Sequence, residues 1–342
     1  MLQGSRVARL GVTVMGGSVA TCAAVAALAE KRGLSSAWTA EFYDRSATVS
    51  VAAMAAATSR IALGSAIMYA FGRTPLVTVA EARDLDEVSG GRFVLGLGTG
   101  TRGQAAGWHG LDAAHLAPRL EELVPLLRRL WRLREGELSY AGRFYRLQLR
   151  VTLPVRAPLR PALSVWTAGV RPRMVEAAGR VADGLVGHPL FTPEYVAEVV
   201  RPALARGAAG AGRSPGVPIA GYVLCAVAET EAQARREAAG QVAFYAVVRA
   251  FDPILRLHGL EREAAAIRQA FAAERGSIAW LVSDRMLETF AVFGTPEQAR
   301  QRFAERYAGL YEEPLLFAPC LSVDAGRLRE SLAAVVETFA PA

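Results

Sequence analysis

The chain is 342 residues long, 52% hydrophobic and 21% charged, with a formal net charge of +7. Those proportions exclude a disordered chain and describe a globular one. The positive charge is almost wholly arginine, since Lys31 is the only lysine, and the arginines are scattered along helical faces. They form no run of five or six and have no aromatic interleaving, so no nucleic-acid partner is expected. A small or polyanionic ligand suits the charge better, because the guanidinium fork makes such contacts geometrically specific. Cys22, Cys225 and Cys320 are odd in number and far apart, and they match no metal-ligand spacing. They read as thiols of a reducing compartment, with no metal expected.

Arg6 and Arg9 precede an apolar stretch that has the outline of a signal peptide. Gly16, Gly17 and Ser18 break it, and its halves differ in period. Residues 10–15 predict a strand; residues 19–32 predict an alanine-rich helix capped by Ser18 and stopped at Gly33. With no apolar run of about 20 residues, a membrane span is not expected and the chain reads as cytoplasmic. A second strand is predicted over 36–40 with a helix near 47–58, and a third strand over 61–68. Thr74 and Pro75 then supply an N-cap and a proline at the first helical position. The helix over 76–89 leads to a fourth strand at 93–97. A long loop holding Trp108 and His109 follows, then a helix over 118–134. The alternation over 138–153 reads as a hairpin or extended insertion. Further strands are predicted at 163–167, 184–186, 219–227 and 315–318, with helices near 171–178, after Thr192-Pro193, over 296–308 and over 327–339. Residues 231–286 read as mostly helical.

Eight strands, each followed by helix and with no break in composition, argue for an α/β fold, a (β/α)8 TIM barrel. The whole of 1–342 reads as one domain, with insertions after strands four and seven at about 138–153 and 231–290. Such barrels hold their ligands at the C-terminal ends of the strands. That places Glu41-Phe42, 66–68, 99–104, 168–170 and His188 at the site.

One stretch is unusually informative. Residues 90–103 read Gly-Gly-Arg-Phe-Val-Leu-Gly-Leu-Gly-Thr-Gly-Thr-Arg-Gly. A short apolar run, suited to a strand buried on both faces, passes into Gly96, Gly98 and Gly100. Glycines there let backbone approach a bulky ligand closely, although an ordinary strand-to-loop turn has the same composition. No Gly-Lys-Ser/Thr follows, and the spacing differs from the dinucleotide-binding fingerprint.

Four fragments in order resemble the bacterial luciferase-like family of flavin and deazaflavin oxidoreductases. They are Gly-Leu-Ser-Ser-Ala-Trp-Thr-Ala-Glu-Phe at 33–42, Ala-Thr-Ser-Arg-Ile-Ala-Leu-Gly at 57–64 with Arg-Thr-Pro at 73–75, the fourth-strand run 89–100, and Ala-Gly-Arg-Val-Ala-Asp-Gly at 178–184. The resemblance implies coenzyme F420, a 5-deazaflavin with a phosphate and a polyglutamate tail. It implies a non-prolyl cis peptide at Ala66-Ile67, in a bulge running to Met68 that presses on one ring face. It further implies that Thr99, Gly100 and Gln104 line the ring, and that Ala168, Gly169 and Val170 hold the phosphate at a helix start.

One departure bears on the chemistry. Many relatives carry Glu-His or Asp-His at the end of strand two, where this chain has Glu41-Phe42. Loss of the imidazole disfavours alcohol oxidation, which needs a base for the hydroxyl proton, and favours reduction of an activated C=C or C=N bond in a small or secondary-metabolic substrate. Glu41, His188 and His109 are the candidate proton donors; Glu41 would serve if burial raised its pKa. A homodimer is expected from the resemblance. Two alternatives stand beside the F420-dependent reductase: a monooxygenase of the same fold using reduced FMN and oxygen, and a cofactor-binding homologue without catalysis.

Overall fold

Eight short strands close on themselves in sequence order in the computed structural model, which describes residues 9–273, 276–321 and 323–341; Arg6 lies outside them. The strands are β1 (Gly11–Val14), β2 (Ser36–Thr39), β3 (Ala62–Ser65), β4 (Phe93–Gly98), β5 (Val165–Ala168), β6 (Gly184–Val186), β7 (Ile219–Val227) and β8 (Glu313–Phe317). Each pairs in parallel with the next, and β8 pairs with β1, so no edge is left in the ring. The fold is the TIM barrel expected from the alternation of strand and helix signals.

The barrel is filled by large side chains laid across glycines. A Cβ on Gly64 would collide with the Trp38 ring, one on Gly184 with Trp166, and one on Gly221 with Tyr311. Strands alternate bulky and absent side chains at these levels, so the interior is a packed core and the open mouth lies above it. Helix starts follow the expected chemistry. Ser18 caps the Val19–Lys31 helix in a reciprocal capping box, and Thr74 caps Pro75–Val88 with proline at the first position.

Three of the fragments that carry the family resemblance act at the closed end of the barrel. Glu30 accepts hydrogen bonds from the backbone N–H groups of Ser59, Arg60 and Ile61. Arg92 donates to the carbonyls of Ile61, Thr58 and Ala55. Asp183 accepts from the Val165 N–H at 2.8 Å and from Arg128 at 2.7 Å. Each ties a strand start to a neighbouring strand or helix, so these residues set strand height and take no part in the mouth.

After β4 the chain forms an antiparallel hairpin, Glu137–Ala141 with Arg146–Arg150. Its turn is gathered by Glu122, which accepts the N–H groups of Arg143, Phe144 and Tyr145. After β7 come the helices Glu231–Val247, Asp252–Leu257, Glu261–Ala272 and Asp284–Phe290. A strand at Ala291–Gly294 follows that sequence reading did not anticipate. At nine residues β7 outruns the ring: Ala220 pairs with both Val186 and Glu313, whereas Leu224 pairs with both Ala291 and Phe317. The new strand thus continues the flank of β7 that short β6 leaves open. Among the described residues no helix is long and apolar enough to cross a membrane.

Candidate functional site

The mouth is organised around the segment that leaves β3. The Ala66-Ile67 peptide is cis, where the resemblance places it. Its neighbourhood is tied on several sides. The Ala66 N–H donates to the Thr39 carbonyl at 2.7 Å, and the Tyr222 hydroxyl donates to the Ala66 carbonyl. The Glu41 N–H donates to the Ile67 carbonyl at 2.8 Å, and Met68 and Tyr69 pair with Leu97 and Gly98. Groups from β7, from β4 and from the end of β2 therefore fix one short stretch of backbone as a rigid floor.

The glycines of β4 serve that floor. A Cβ on Gly96 would collide with the Ser65 carbonyl oxygen, and one on Gly98 would lie 2.7 Å from Ile67 Cγ1. At Gly100, with φ of +63°, a Cβ would lie 3.1 Å from both Gln104 Oε1 and Tyr69 Cε1. The sequence suggested that these glycines admit a ligand directly; the structure shows that they admit the chain's own 65–69 segment.

Glu41, expected as a proton donor, is committed elsewhere. Its carboxylate accepts from the Tyr69 N–H at 2.8 Å and from Arg73 Nη1 at 3.0 Å, while its other oxygen accepts from Arg73 Nη2. Arg73 in turn pairs with Glu81 at 2.8 Å. Both Glu41 and Arg73 are largely buried. A carboxylate gripped by a guanidinium fork and a backbone N–H anchors the floor. Burial, with the Glu41 charge beside it, pushes the neighbouring Tyr69 phenol up to about 12.

Thr99 donates to the Gly100 carbonyl at 3.0 Å, and Gln104 Oε1 accepts the Thr101 N–H at 2.7 Å in a capping box. Both shape the loop after β4. On the far side, Val170 accepts from the Tyr195 hydroxyl at 2.9 Å. A Cβ on Gly169 would lie 2.9 Å from the Met174 carbonyl carbon, so glycine lets the loop following Ala168 fold onto its helix. That helix, Pro172–Val181, has no side-chain cap, unlike those opened by Ser18, Ser46, Thr74 and Thr101. Pro172 has no N–H, and the Met174 and Val175 N–H groups donate to the Arg171 carbonyl at 2.9 and 3.1 Å, which leaves the Arg173 N–H of the first turn uncapped. Beside it the Arg171 guanidinium donates to the carbonyls of Ala250 and Arg249, each at 3.3 Å.

His188 follows β6. Its Nδ1 accepts the Leu190 N–H at 3.2 Å, which leaves the proton of the neutral ring on Nε2. The ring lies 4.0 Å from Phe251 and 4.9 Å from Tyr245, centroid to centroid. Burial among these rings pushes its pKa down to about 3, so the imidazole stays neutral through the physiological range. His109 is exposed and rests on Tyr69 at 4.4 Å, while Trp108 meets Phe42 and Tyr43. No group of three His, Cys, Asp or Glu side chains converges for a metal among the described residues. A cleft of about 590 Å³ lined by Arg236, Trp280 and Arg327, among others, shares no residue with this mouth.

Sequence reading missed Arg73, Tyr222, Tyr245, Phe251 and Arg171. Only Arg73 and Tyr222 carried a usable signal: an arginine in the turn before a helix cap, and a phenol inside an otherwise aliphatic buried strand.

A model of the luciferase-like monooxygenase family matches residues 6–313. The chain belongs to that family. The matched span includes every mouth residue described above. An uncharacterized protein of Mycobacterium tuberculosis, Rv1360, is 31% identical over 305 residues, covering 87% of this chain and 89% of that one. The 5,10-methylenetetrahydromethanopterin reductase of Methanopyrus kandleri is 26% identical over 295 residues, covering 81% and 83%. The solved coenzyme F420-dependent tetrahydromethanopterin reductase from the same organism superimposes with a TM-score of 0.80 at 23% identity, over 98% and 99% of the two chains. The family fold also carries FMN. The oxygenating constituent of a 3,6-diketocamphane monooxygenase from Pseudomonas putida, in complex with FMN, gives a TM-score of 0.69 at 17% identity over 97% and 98%.

Proposed function

We propose that this family member is a coenzyme F420-dependent oxidoreductase that reduces an activated C=C or C=N bond. The observation that carries the reading is the pairing, on one rim, of the clamped floor at 66–68 with an uncapped, arginine-flanked helix start at Pro172. The first fits one face of a flat ring. The second fits a phosphate, because the Arg171 guanidinium, the uncapped Arg173 N–H and the helix dipole favour an anion there. The likeness to the coenzyme F420-dependent tetrahydromethanopterin reductase of Methanopyrus kandleri supports the choice of deazaflavin.

When bound, the reduced deazaflavin supplies hydride and, lacking the ring nitrogen that supports oxygen activation, nothing else. The protein's part is orientation, exclusion of water and a hydrogen bond. Ala66, Ile67 and Met68 support the ring, with Thr99, Gly100 and Gln104 shaping the loop beside it. Gly169, Val170 and Arg171 hold the phosphate. Phe42 replaces an imidazole by an apolar wall. His188 Nε2–H is the hydrogen-bond donor for the substrate atom that gains electron density, its neutrality makes the donation independent of pH near 7, and the proton that completes the reduction is taken from solvent once the hydride has moved. Glu41 acts through the floor, and His109 flanks Tyr69 at the rim.

Val49, Leu76 and Val77 are exposed on two helices that pack side by side. We assign this apolar face to a second copy of the chain in a homodimer.

Binding of F420 against FMN to the purified protein, read by quenching of cofactor fluorescence, tests the reading. Micromolar or tighter binding of F420 with at least tenfold weaker FMN is the expected result. Preference for FMN, with oxygen uptake once the flavin is reduced, would instead establish the monooxygenase. Tight F420 binding without turnover of any unsaturated acceptor would leave a cofactor-binding homologue.

A further inference from the structure

We infer that the substrate is a planar fused-ring compound, received on an aromatic ledge formed by Phe42, Tyr43 and Trp108. This rests on the reading of the mouth as a hydride-transfer site and names the class of acceptor.

The three rings form one cluster. Phe42 and Tyr43 lie 4.4 Å apart, and each meets Trp108 nearly at right angles, at 5.1 Å and 89° for Phe42 and at 5.6 Å and 82° for Tyr43. Tyr43 is nevertheless 77% exposed and Trp108 45% exposed. Single exposed aromatics are ordinary, but contiguous ones beside the strand ends of a barrel mark a contact surface. Elsewhere arginines lie over the rings of Phe71, Phe144 and Phe293. Among the described residues none lies over these three.

Placement links the ledge to the chemistry. Phe42 directly follows Glu41, whose N–H holds the Ile67 carbonyl. Trp108 ends the Arg102–Gly107 helix that follows β4, and His109 beside it rests on Tyr69, which follows the floor. The ledge therefore spans from the end of β2 to the loop after β4, with the floor between them. Mutual edge contacts hold the indole and phenyl planes before a ligand arrives, so little side-chain freedom is lost on binding. Flat, apolar faces presented in this way select a flat, apolar partner over a flexible or charged one.

Coumarin and 5,6-dihydropyran-2-one make a direct test, because both carry an unsaturated lactone and only coumarin has the fused ring. Calorimetric titration of the intact protein should show coumarin binding at least tenfold tighter. Trp108→Ala and Tyr43→Ala should each weaken coumarin about tenfold, leaving the monocyclic lactone and F420 within twofold of wild type. Since both side chains are at the surface, unchanged F420 affinity also reports an intact fold. Equal affinity for the two lactones, or unchanged coumarin affinity in Trp108→Ala, would overturn the proposal. So would a change of oligomeric state in that variant without loss of coumarin, which would give the ledge to a second copy. Discrimination of the lactones without any F420 binding would keep the ledge and remove the hydride-transfer reading.

Discussion

Arg73→Ala is expected to destabilise the protein by about 3–5 kcal/mol, the range for removing one partner of a buried ion pair. The Glu41 carboxylate would remain largely buried beside Tyr69 with its guanidinium fork gone, and Glu81 would lose its partner as well. Most of the cost is the uncompensated charge, so removing both charges should recover part of it; Glu41→Leu combined with Arg73→Leu should be more stable than Arg73→Ala. Urea unfolding of the three proteins measures this. The experiment also separates two roles for Glu41. A proton donor would show lost turnover and intact stability in Glu41→Gln. The anchoring geometry predicts lost stability, with turnover falling only as far as the floor is disturbed. A loss below about 1 kcal/mol in Arg73→Ala, the value of an exposed pair, would return Glu41 to the list of candidate acids.

Acid should weaken the fold through His188. The folded ring resists protonation down to about 3, from an ordinary value of 6.5, because burial among Phe251 and Tyr245 disfavours the cation. The unfolded chain takes up that proton near 6.5. The stability is therefore whole above 6.5 and is lost as pH falls toward 3, at about 1.4 kcal/mol per pH unit. Glu30 contributes in a lower window. Burial raises its pKa, but hydrogen bonds from the Ile61, Arg60 and Ser59 N–H groups outweigh that and bring it to about 2, so its contribution is lost between 4.5 and 2. His258 is also shifted down by burial, so the comparison should be with His188→Phe. That variant should lower the slope of the stability curve from 6.5 down to about 3, leaving the Glu30 contribution between 4.5 and 2 in place. An unchanged slope in His188→Phe would mean that the ring charges freely in the folded protein. The same neutrality predicts no inflection near 6.5 in kcat.

The two predictions also mark where sequence stops being readable. Strands such as 93–97 and 219–227 announce themselves as apolar runs, and Ser18, Thr74 and Thr192 announce helix starts, because these signals are local. The strand at Ala291–Gly294 is only four residues long and exists because β7 outruns β6; nothing near it in the chain says so. The site divides in the same way. Position in the barrel put Glu41, His188, Ala66 and Val170 at the C-terminal ends of the strands, and the structure has them there. Their partners were out of reach: Arg73 lies in another turn, Tyr222 on another strand, and Phe251 within the helical insertion. Glycine spacing was legible while its purpose was not, since Gly96 and Gly98 make room for protein. Most of the fragments that reveal the family are barrel-end fasteners, which is why they report fold more firmly than chemistry.

The most direct test of the account pairs Arg171→Ala with two ligands: F420, and the deazaflavin chromophore that ends at its ribityl chain and lacks the phosphate. The wild-type protein should bind F420 at least tenfold tighter than the bare chromophore. Arg171→Ala should erase most of that difference by weakening F420 alone, about tenfold or more for a lost charge-assisted contact. Equal binding of the two ligands by the wild type, or an Arg171→Ala variant that holds F420 as tightly as before, would contradict a deazaflavin seated between the 66–68 floor and the helix start at Pro172.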